Sequence, residues 1–238
     1  LHDELGVKAP VVGTADHNDG YCGYAHILSN MVLDFIDGHG YWQHPRTGSD
    51  FWIANTPMVN DPLDSTVTQF ARTPVAGLPY TISETNHPYP AEYACEGIPI
   101  LTAYCLLHDW DGIYWFTYGK GRMQEPDQGW RGSFDFSNDP VKMTHLAACA
   151  AMFHRHDVAA AKETILRVYA EDQMIGGLRM DRKERPFFDP AFPRDVALRH
   201  ATRWATSGRP SAYPEAARLG NIEADTGQLG WYGADAGK

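Results

Sequence analysis

The sequence has few cysteines, fewer basic than acidic residues and no long apolar run. Its four cysteines form no CxxC pair and no zinc-ligand spacing, so buried free thiols are the default expectation. The 20 Lys and Arg against 30 Asp and Glu give a net charge of −10, which disfavours a nucleic-acid partner because phosphate binding needs a basic face. No run of about 18 or more apolar residues occurs, so no membrane-spanning helix is predicted. Residues 1–13 lack the basic-then-apolar pattern of a signal peptide.

Aromatic residues, by contrast, are plentiful. They make up 12% of the chain, with seven Trp and twelve Tyr, and many lie among Gly, Asn, His and Asp in loop-like segments. A sugar-binding cleft needs flat rings with polar rims, so this distribution favours a carbohydrate ligand over core packing alone. Hydrophobic residues at 43% and charged residues at 21% are otherwise ordinary for a globular protein with a sizeable core.

Short apolar runs alternate with helix-like runs over the first two-thirds of the chain, which predicts an α/β fold with a parallel sheet. Strands are predicted at 9–14, 33–41, 78–83 and 112–117, and helices at 24–32, 64–72, 92–108 and 140–153. Pro99 is expected to kink or break the third helix, whereas Asp139 and Pro140 are expected to begin the fourth. These are four βα units, whereas a complete (β/α)8 TIM barrel has eight in about 250 residues. We therefore expect half a barrel that needs either a missing N-terminal half-barrel or a second copy.

Polar and aromatic side chains follow each predicted strand. In a parallel barrel the residues at the carboxyl ends of the strands form the active-site face. The candidates there, strand by strand, are Asp16 and His17, then His39, Tyr41 and Trp42, then Glu84, Asn86 and His87, and finally Trp115 and Tyr118. A carboxylate, imidazoles, phenols and indoles around one opening match the needs of glycosidic bond cleavage.

Four segments resemble clan A retaining glycoside hydrolases, near the family 5 cellulase-like group. ISETNHPYPAEYACEG followed by DWDGIYWFTYG resembles strands seven and eight of that clan, DFIDGHGYWQHP resembles strand six, and VKAPVVGTADHNDG is similar to strand five. The resemblance covers roughly residues 5–155 and implies the second half of the barrel, strands five to eight. It also implies a secreted or periplasmic enzyme of polysaccharide degradation.

The resemblance further implies roles for individual residues. Glu84 corresponds to the nucleophile, Tyr41 to its hydrogen-bond donor, and His39 to a residue lining the neighbouring subsite. Trp115 corresponds to the sugar platform, with a cis peptide bond between Trp115 and Phe116. The remaining mouth residues are expected to bind substrate: Asn86, His87, Trp42, Asp16, His17 and Tyr118.

One part of the clan's pattern is missing. Its general acid/base is a Glu that follows Asn at the end of strand four, and no Asn-Glu pair occurs anywhere in this sequence. Retaining hydrolysis needs two carboxyl groups about 5–5.5 Å apart. We therefore expect this chain alone to be inactive, with Asp16 as the best substitute within the chain.

The last part of the chain has a different composition. A domain boundary is predicted at 157, with residues 158–238 forming a linker and the truncated start of an appended β-rich, β-sandwich-like domain. Within it, 164–169 is predicted as a strand and 195–204 as a basic amphipathic helix.

Two alternatives to a glycosidase stay open. One is a carbohydrate-binding barrel without turnover, for which a residue other than Glu or Asp at strand four is the discriminator. The other is a metal-dependent TIM-barrel hydrolase, because eleven His are present, although none forms HExxH or another ligand pattern. No metal and no cofactor is predicted.

Overall fold

A computed structural model describes residues 1–15, 24–46, 51–119, 132–176, 193–212 and 221–232. Within these ranges the helices are α1 (His2–Leu5), α2 (Tyr24–Asn30), α3 (Thr66–Phe70), α4 (Gly97–Leu107), α5 (Pro140–Arg155), α6 (Glu171–Gly176) and α7 (Val196–Arg199). The strands are β1 (Ile36–Tyr41), β2 (Tyr80–Asn86), β3 (Gly112–Trp115), β4 (Thr164–Val168), β5 (Ala201–Ala205), β6 (Ile222–Glu223) and β7 (Gly230–Trp231). None of the helices in the described residues is long and apolar enough to cross a membrane.

Strands β1, β2 and β3 form one parallel sheet in sequence order. α3 lies between β1 and β2 in the chain, and α4 between β2 and β3, so both connections are βαβ units. The predicted strand at 9–14 is reduced to a single parallel bridge between Val12 and Phe35, just before β1. Three of the four predicted strands are thus confirmed with their order, and the half-barrel stays a hypothesis.

One face of this sheet is covered by helices. Ile82 of β2, Phe70 of α3 and Leu101 of α4 belong to a single buried hydrophobic cluster. Gly38 and Gly40 of β1 allow α3 to pack closely, because a Cβ atom on Gly38 would lie 3.3 Å from the Phe70 ring and one on Gly40 3.1 Å from it. The side chains that alternate with these glycines therefore lie on the other face of the sheet.

The predicted kink at Pro99 is wrong. Helix α4 begins at Gly97, so Pro99 is its third residue. Backbone N–H groups in the first turn have no partner within the helix, and a proline there removes no hydrogen bond. The predicted start of α5 is confirmed, since the Asp139 side chain accepts hydrogen bonds from the backbone N–H groups of Val141 and Lys142.

The predicted helix at 195–204 is also largely wrong. Only Val196–Arg199 is helical, and Ala201–Ala205 forms β5, which pairs in parallel with β4. Three of the five residues of β5 are buried, and Trp204, its fourth residue, is fully buried. Burial of this indole against the rest of the protein outweighs the weak helical pattern of the segment.

The described residues beyond the predicted boundary at 157 share the core of the first part. Trp204, Ile222 and Trp231 lie in the same hydrophobic cluster as Ile82 and Leu101. A parallel bridge between Val75 and Trp204 and a hydrogen bond from the Trp231 indole to the Val59 carbonyl (2.6 Å) join the two parts. The boundary at 157 therefore does not separate two hydrophobic cores.

Candidate active site

Glu84 lies within β2, two residues before the strand ends, rather than at its exit as predicted. The register between β1 and β2 shifts here, because Gly38 pairs with Ile82 and the next residue, His39, pairs with Glu84. Ser83 is thus an extra residue, which is the signature of a β-bulge. As a result, the side chains of both Ser83 and Glu84 reach residues on the same face of β1.

The Glu84 carboxylate is contacted on both of its oxygens by β1. The Tyr41 hydroxyl donates a hydrogen bond to Oε1, and His39 Nδ1 lies 3.4 Å from Oε2. Burial, together with the hydrogen bond to Glu84, raises the pKa of the Tyr41 hydroxyl, so it stays a donor. The predicted hydrogen bond between Tyr41 and Glu84 is therefore present, with the Glu84 side chain 29% exposed.

A second carboxylate, that of the buried Asp37, faces the Nε2 atom of His39. Asp37 accepts hydrogen bonds from the Thr81 hydroxyl (2.6 Å) and the Ser83 hydroxyl, and its Oδ2 lies 3.5 Å from His39 Nε2. Burial opposes ionisation of Asp37, but hydrogen bonds from His39, Ser83 and Thr81 outweigh it and hold its pKa below the ordinary value. Asp37, His39 and Glu84 thus form a line of alternating carboxylate and imidazole groups.

Aromatic rings form one wall beside this line. The Phe134 ring contacts Tyr41, His44 and Phe116, with centroid distances of 5.0, 5.4 and 5.6 Å. The Asn86 amide donates to the carbonyls of Phe116 (2.6 Å) and Phe134 (2.9 Å), which holds the two loops together. The buried Asn86 therefore positions the aromatic wall instead of facing a ligand.

His87 and Trp42 lie beneath the surface, in contrast to their predicted exposure in a cleft. The two rings stack with centroids 6.5 Å apart, and the Trp42 indole donates to the Thr56 carbonyl (2.8 Å). Burial, with the positive charge of Lys142 nearby, lowers the pKa of His87 to about 3. Both side chains support the site from within the protein, so the expectation that they contact substrate is corrected.

Trp115 occupies the opposite side of the sheet from the predicted one. It pairs with the buried Thr85, packs against the main hydrophobic cluster and lines a cavity of about 300 Å³ beside α5. Glu84 and Thr85 are adjacent in β2, so their side chains point to opposite faces of the sheet. Trp115, which pairs with Thr85, therefore lies on the side away from Glu84. The cis peptide bond expected after Trp115 is instead found one residue later, between Phe116 and Thr117. Phe116, which is 39% exposed and touches Phe134, is the better-placed ring.

The other predicted residues contribute less to this arrangement. Tyr118 is exposed and contacts the Phe136 ring at 6.2 Å. Asp16 and His17 lie outside the described residues. Among the residues that are described, no group of three or more His, Cys, Asp or Glu is arranged to hold a metal ion.

Four residues of the site escaped sequence reasoning: Asp37, Ser83, Phe116 and Phe134. The alternation Asp-Gly-His-Gly-Tyr in β1 carried a usable signal, since a period of two places Asp37 on the face of His39 and Tyr41. Phe134 follows a glycine-rich stretch with no strand pattern, so nothing in the sequence connected it with Tyr41.

Comparison with protein-family models, with curated proteins and with solved structures finds no match for this chain.

Proposed function

We propose that this protein is a retaining glycoside hydrolase in which Glu84 is the nucleophile. The observation that supports this best is the Glu84 carboxylate itself, held at one oxygen by the Tyr41 hydroxyl and faced at the other by the His39 ring. A nucleophilic carboxylate must stay ionised and oriented, and a phenol that donates to the charged form favours both. The aromatic wall at Phe116 and Phe134 supports a sugar as the ligand, because pyranose rings pack against flat apolar surfaces.

In the proposed reaction Glu84 attacks the anomeric carbon, and the bond from that carbon to the leaving-group oxygen breaks. The leaving oxygen takes a proton from a general acid, and an ester forms between the sugar and Glu84. Water, deprotonated by the same group acting as base, then hydrolyses the ester and regenerates the Glu84 carboxylate. Tyr41 donates to the ionised carboxylate before attack and after hydrolysis.

The general acid is proposed to come from outside this sequence, either from another half-barrel or from a second copy. Asp37 is unsuited to the role, because it already accepts hydrogen bonds from Thr81 and Ser83 and its pKa is held low. The sequence contains no Asn-Glu pair of the kind that carries the acid/base in the clan it resembles. We therefore expect the isolated 238-residue chain not to hydrolyse unactivated polysaccharides.

A mechanism-based label tests the nucleophile separately from the acid. 2,4-Dinitrophenyl 2-deoxy-2-fluoro-glycosides carry an activated phenolate leaving group that departs without protonation, so their reaction needs no general acid. Gluco-, manno- and galacto-configured reagents are incubated with this chain and with the protein as its natural gene encodes it. Mass spectrometry of the digested protein is expected to place one glycosyl group on Glu84.

Two substitutions serve as matched controls for the label. Glu84→Gln should abolish the label, whereas Glu96→Gln should retain it. Glu96 precedes α4, and its carboxylate accepts a hydrogen bond from the backbone N–H of Met58, outside the site. Absence of a label on Glu84 with every reagent and both proteins would overturn the proposal. If those proteins nevertheless bind oligosaccharides in calorimetry, a sugar-binding barrel without turnover is the better description.

A further inference from the structure

Asp37 is connected to His39 through an intervening hydroxyl group. Ser83 Oγ lies 2.6 Å from His39 Nε2 and also contacts Asp37 Oδ2. A hydroxyl has one hydrogen to donate, and a carboxylate that is ionised can only accept. Since the pKa of Asp37 is held low, the Ser83 hydrogen points to Asp37. Both neighbours of His39 Nε2, Ser83 Oγ and the Asp37 Oδ2 atom at 3.5 Å, are then acceptors, so Nε2 is the donor.

The Asp37 carboxylate accepts a second hydrogen bond, which supports its role as the acceptor of the Ser83 hydrogen. The Thr81 hydroxyl donates to its other oxygen, Oδ1, at 2.6 Å. Asp37 is buried, so these hydroxyl donors replace the water that would solvate its charge. If the Ser83 hydroxyl instead donated to His39, Oδ2 of the buried Asp37 carboxylate would lose its donor, which is unfavourable. The hydrogen bonds therefore run in one direction, from His39 to Ser83 and from Ser83 to Asp37.

The position of this proton also affects Nδ1, the other ring nitrogen of His39. With a proton fixed on Nε2, the neutral ring presents a lone pair at Nδ1, and Nδ1 lies 3.4 Å from Glu84 Oε2. This separation is longer than a normal N–H···O hydrogen bond, so the contact places Nδ1 beside Glu84 without by itself assigning a proton to either atom.

We propose that Asp37 is a positioning residue that, through Ser83, fixes the proton of the neutral His39 ring on Nε2 and leaves Nδ1 as the nitrogen that faces Glu84. The inference rests on the proposed function for its catalytic meaning, because it sets the state of the group beside the nucleophile. Its structural content, the position of one proton, is independent of any reaction.

Imidazole ¹⁵N spectroscopy measures this proton directly, since a protonated and an unprotonated ring nitrogen give distinct resonances. In the unaltered chain we expect the neutral His39 ring to carry its proton on Nε2. In Asp37→Asn the amide group can donate to Ser83, which frees the Ser83 hydroxyl to donate to Nε2. The neutral ring then carries its proton on Nδ1, facing Glu84. Asp37→Ala, which also lacks the acceptor, serves as a second variant.

Thr81→Ala is the matched control for this measurement. It removes one hydroxyl donor from Asp37 just as Ser83→Ala would, but Thr81 does not contact His39, so the proton should stay on Nε2. A neutral His39 protonated on Nδ1 in the unaltered chain overturns the proposal, and so does an unchanged Nε2 proton in both Asp37 variants. Labelling of Glu84 is read separately: a label with the wrong proton position rejects only this proposal, and the expected proton position without a label rejects only the proposed function.

Discussion

Glu84 stands directly opposite His39 in the parallel register of β1 and β2, because Ser83 is an extra residue in β2. If Ser83 instead took a regular place in the strand, alternation would send the Glu84 side chain to the helix-covered face, where Ile82 lies. The bulge therefore brings Ser83 and Glu84 together beside one imidazole ring. This single irregularity connects the buried Asp37 with the proposed nucleophile.

Replacement of Tyr41 by Phe tests the hydrogen bond to Glu84. The ring contacts of Tyr41 with His44 and Phe134 are retained in Tyr41→Phe, whereas the donor to Oε1 is lost. A hydrogen bond to a charged group contributes about 1.5–3 kcal/mol, so the rate of Glu84 labelling should fall roughly 10- to 150-fold. Tyr232→Phe, which alters an exposed phenol bonded to Glu223, is the control and should label at the original rate. Equal rates for the two variants would contradict the role of Tyr41.

Asp139 should contribute to stability in two separable ways. Its side chain caps α5, and its Oδ2 lies 3.6 Å from the buried ammonium group of Lys142. Asp139→Ala loses both interactions, whereas Asp139→Asn keeps a capping oxygen and loses only the charge. In urea unfolding at pH 7 we expect Asp139→Ala to be less stable than Asp139→Asn by about 1 kcal/mol, with both below the unaltered protein. Equal stability of the two variants would mean that the cap contributes nothing.

Two buried histidines should make the protein less stable in acid. Burial lowers the pKa of both His87 and His108 to about 3, and His108 is fully enclosed against the Trp110 ring. Their ordinary pKa in the unfolded chain is about 6.5, so between pH 6.5 and 3 the unfolded state binds more protons than the folded state. The stability from each neutral ring is fully present above pH 6.5 and is lost as the pH falls through this window.

The slope of stability against pH checks this expectation. Each histidine should contribute at most about 1.4 kcal/mol per pH unit to the free energy of unfolding measured at pH 7, 6 and 5. His87→Gln is expected to reduce the slope relative to that of the unaltered protein. A slope that is the same in His87→Gln and in the unaltered protein would show that His87 titrates alike in both states.

Trp231 tests whether residues beyond 157 are part of the main core. Its ring is buried, lies 6.1 Å from the Tyr104 ring of α4, and donates to the Val59 carbonyl. Trp231→Ala should therefore cost about 3–5 kcal/mol and lower the midpoint of a single cooperative unfolding transition. Its exposed neighbour provides the control, since Tyr232→Ala should change stability little. Two separate transitions, with only one shifted by Trp231→Ala, would instead indicate independent domains.

The sequence by itself determined the three strands with their order, the start of α5 at Asp139, and the shared face of His39 and Tyr41 in β1. These are local features, because strand and cap signals depend on residues close together in the chain, and the period of two in β1 places alternate side chains on one face. It also fixed the residue types available at the site, and with them the chemistry that can be proposed.

Only the tertiary structure decided which groups meet across strands. The bulge at Ser83, the placement of Trp115 against the core, and the contact of Phe134 with Tyr41 depend on pairing and packing between distant segments. The same holds for β5, where burial of Trp204 and pairing with β4 outweigh a weak helical pattern. Local sequence cannot report these features, because their free energy comes from surface buried against residues far away in the chain.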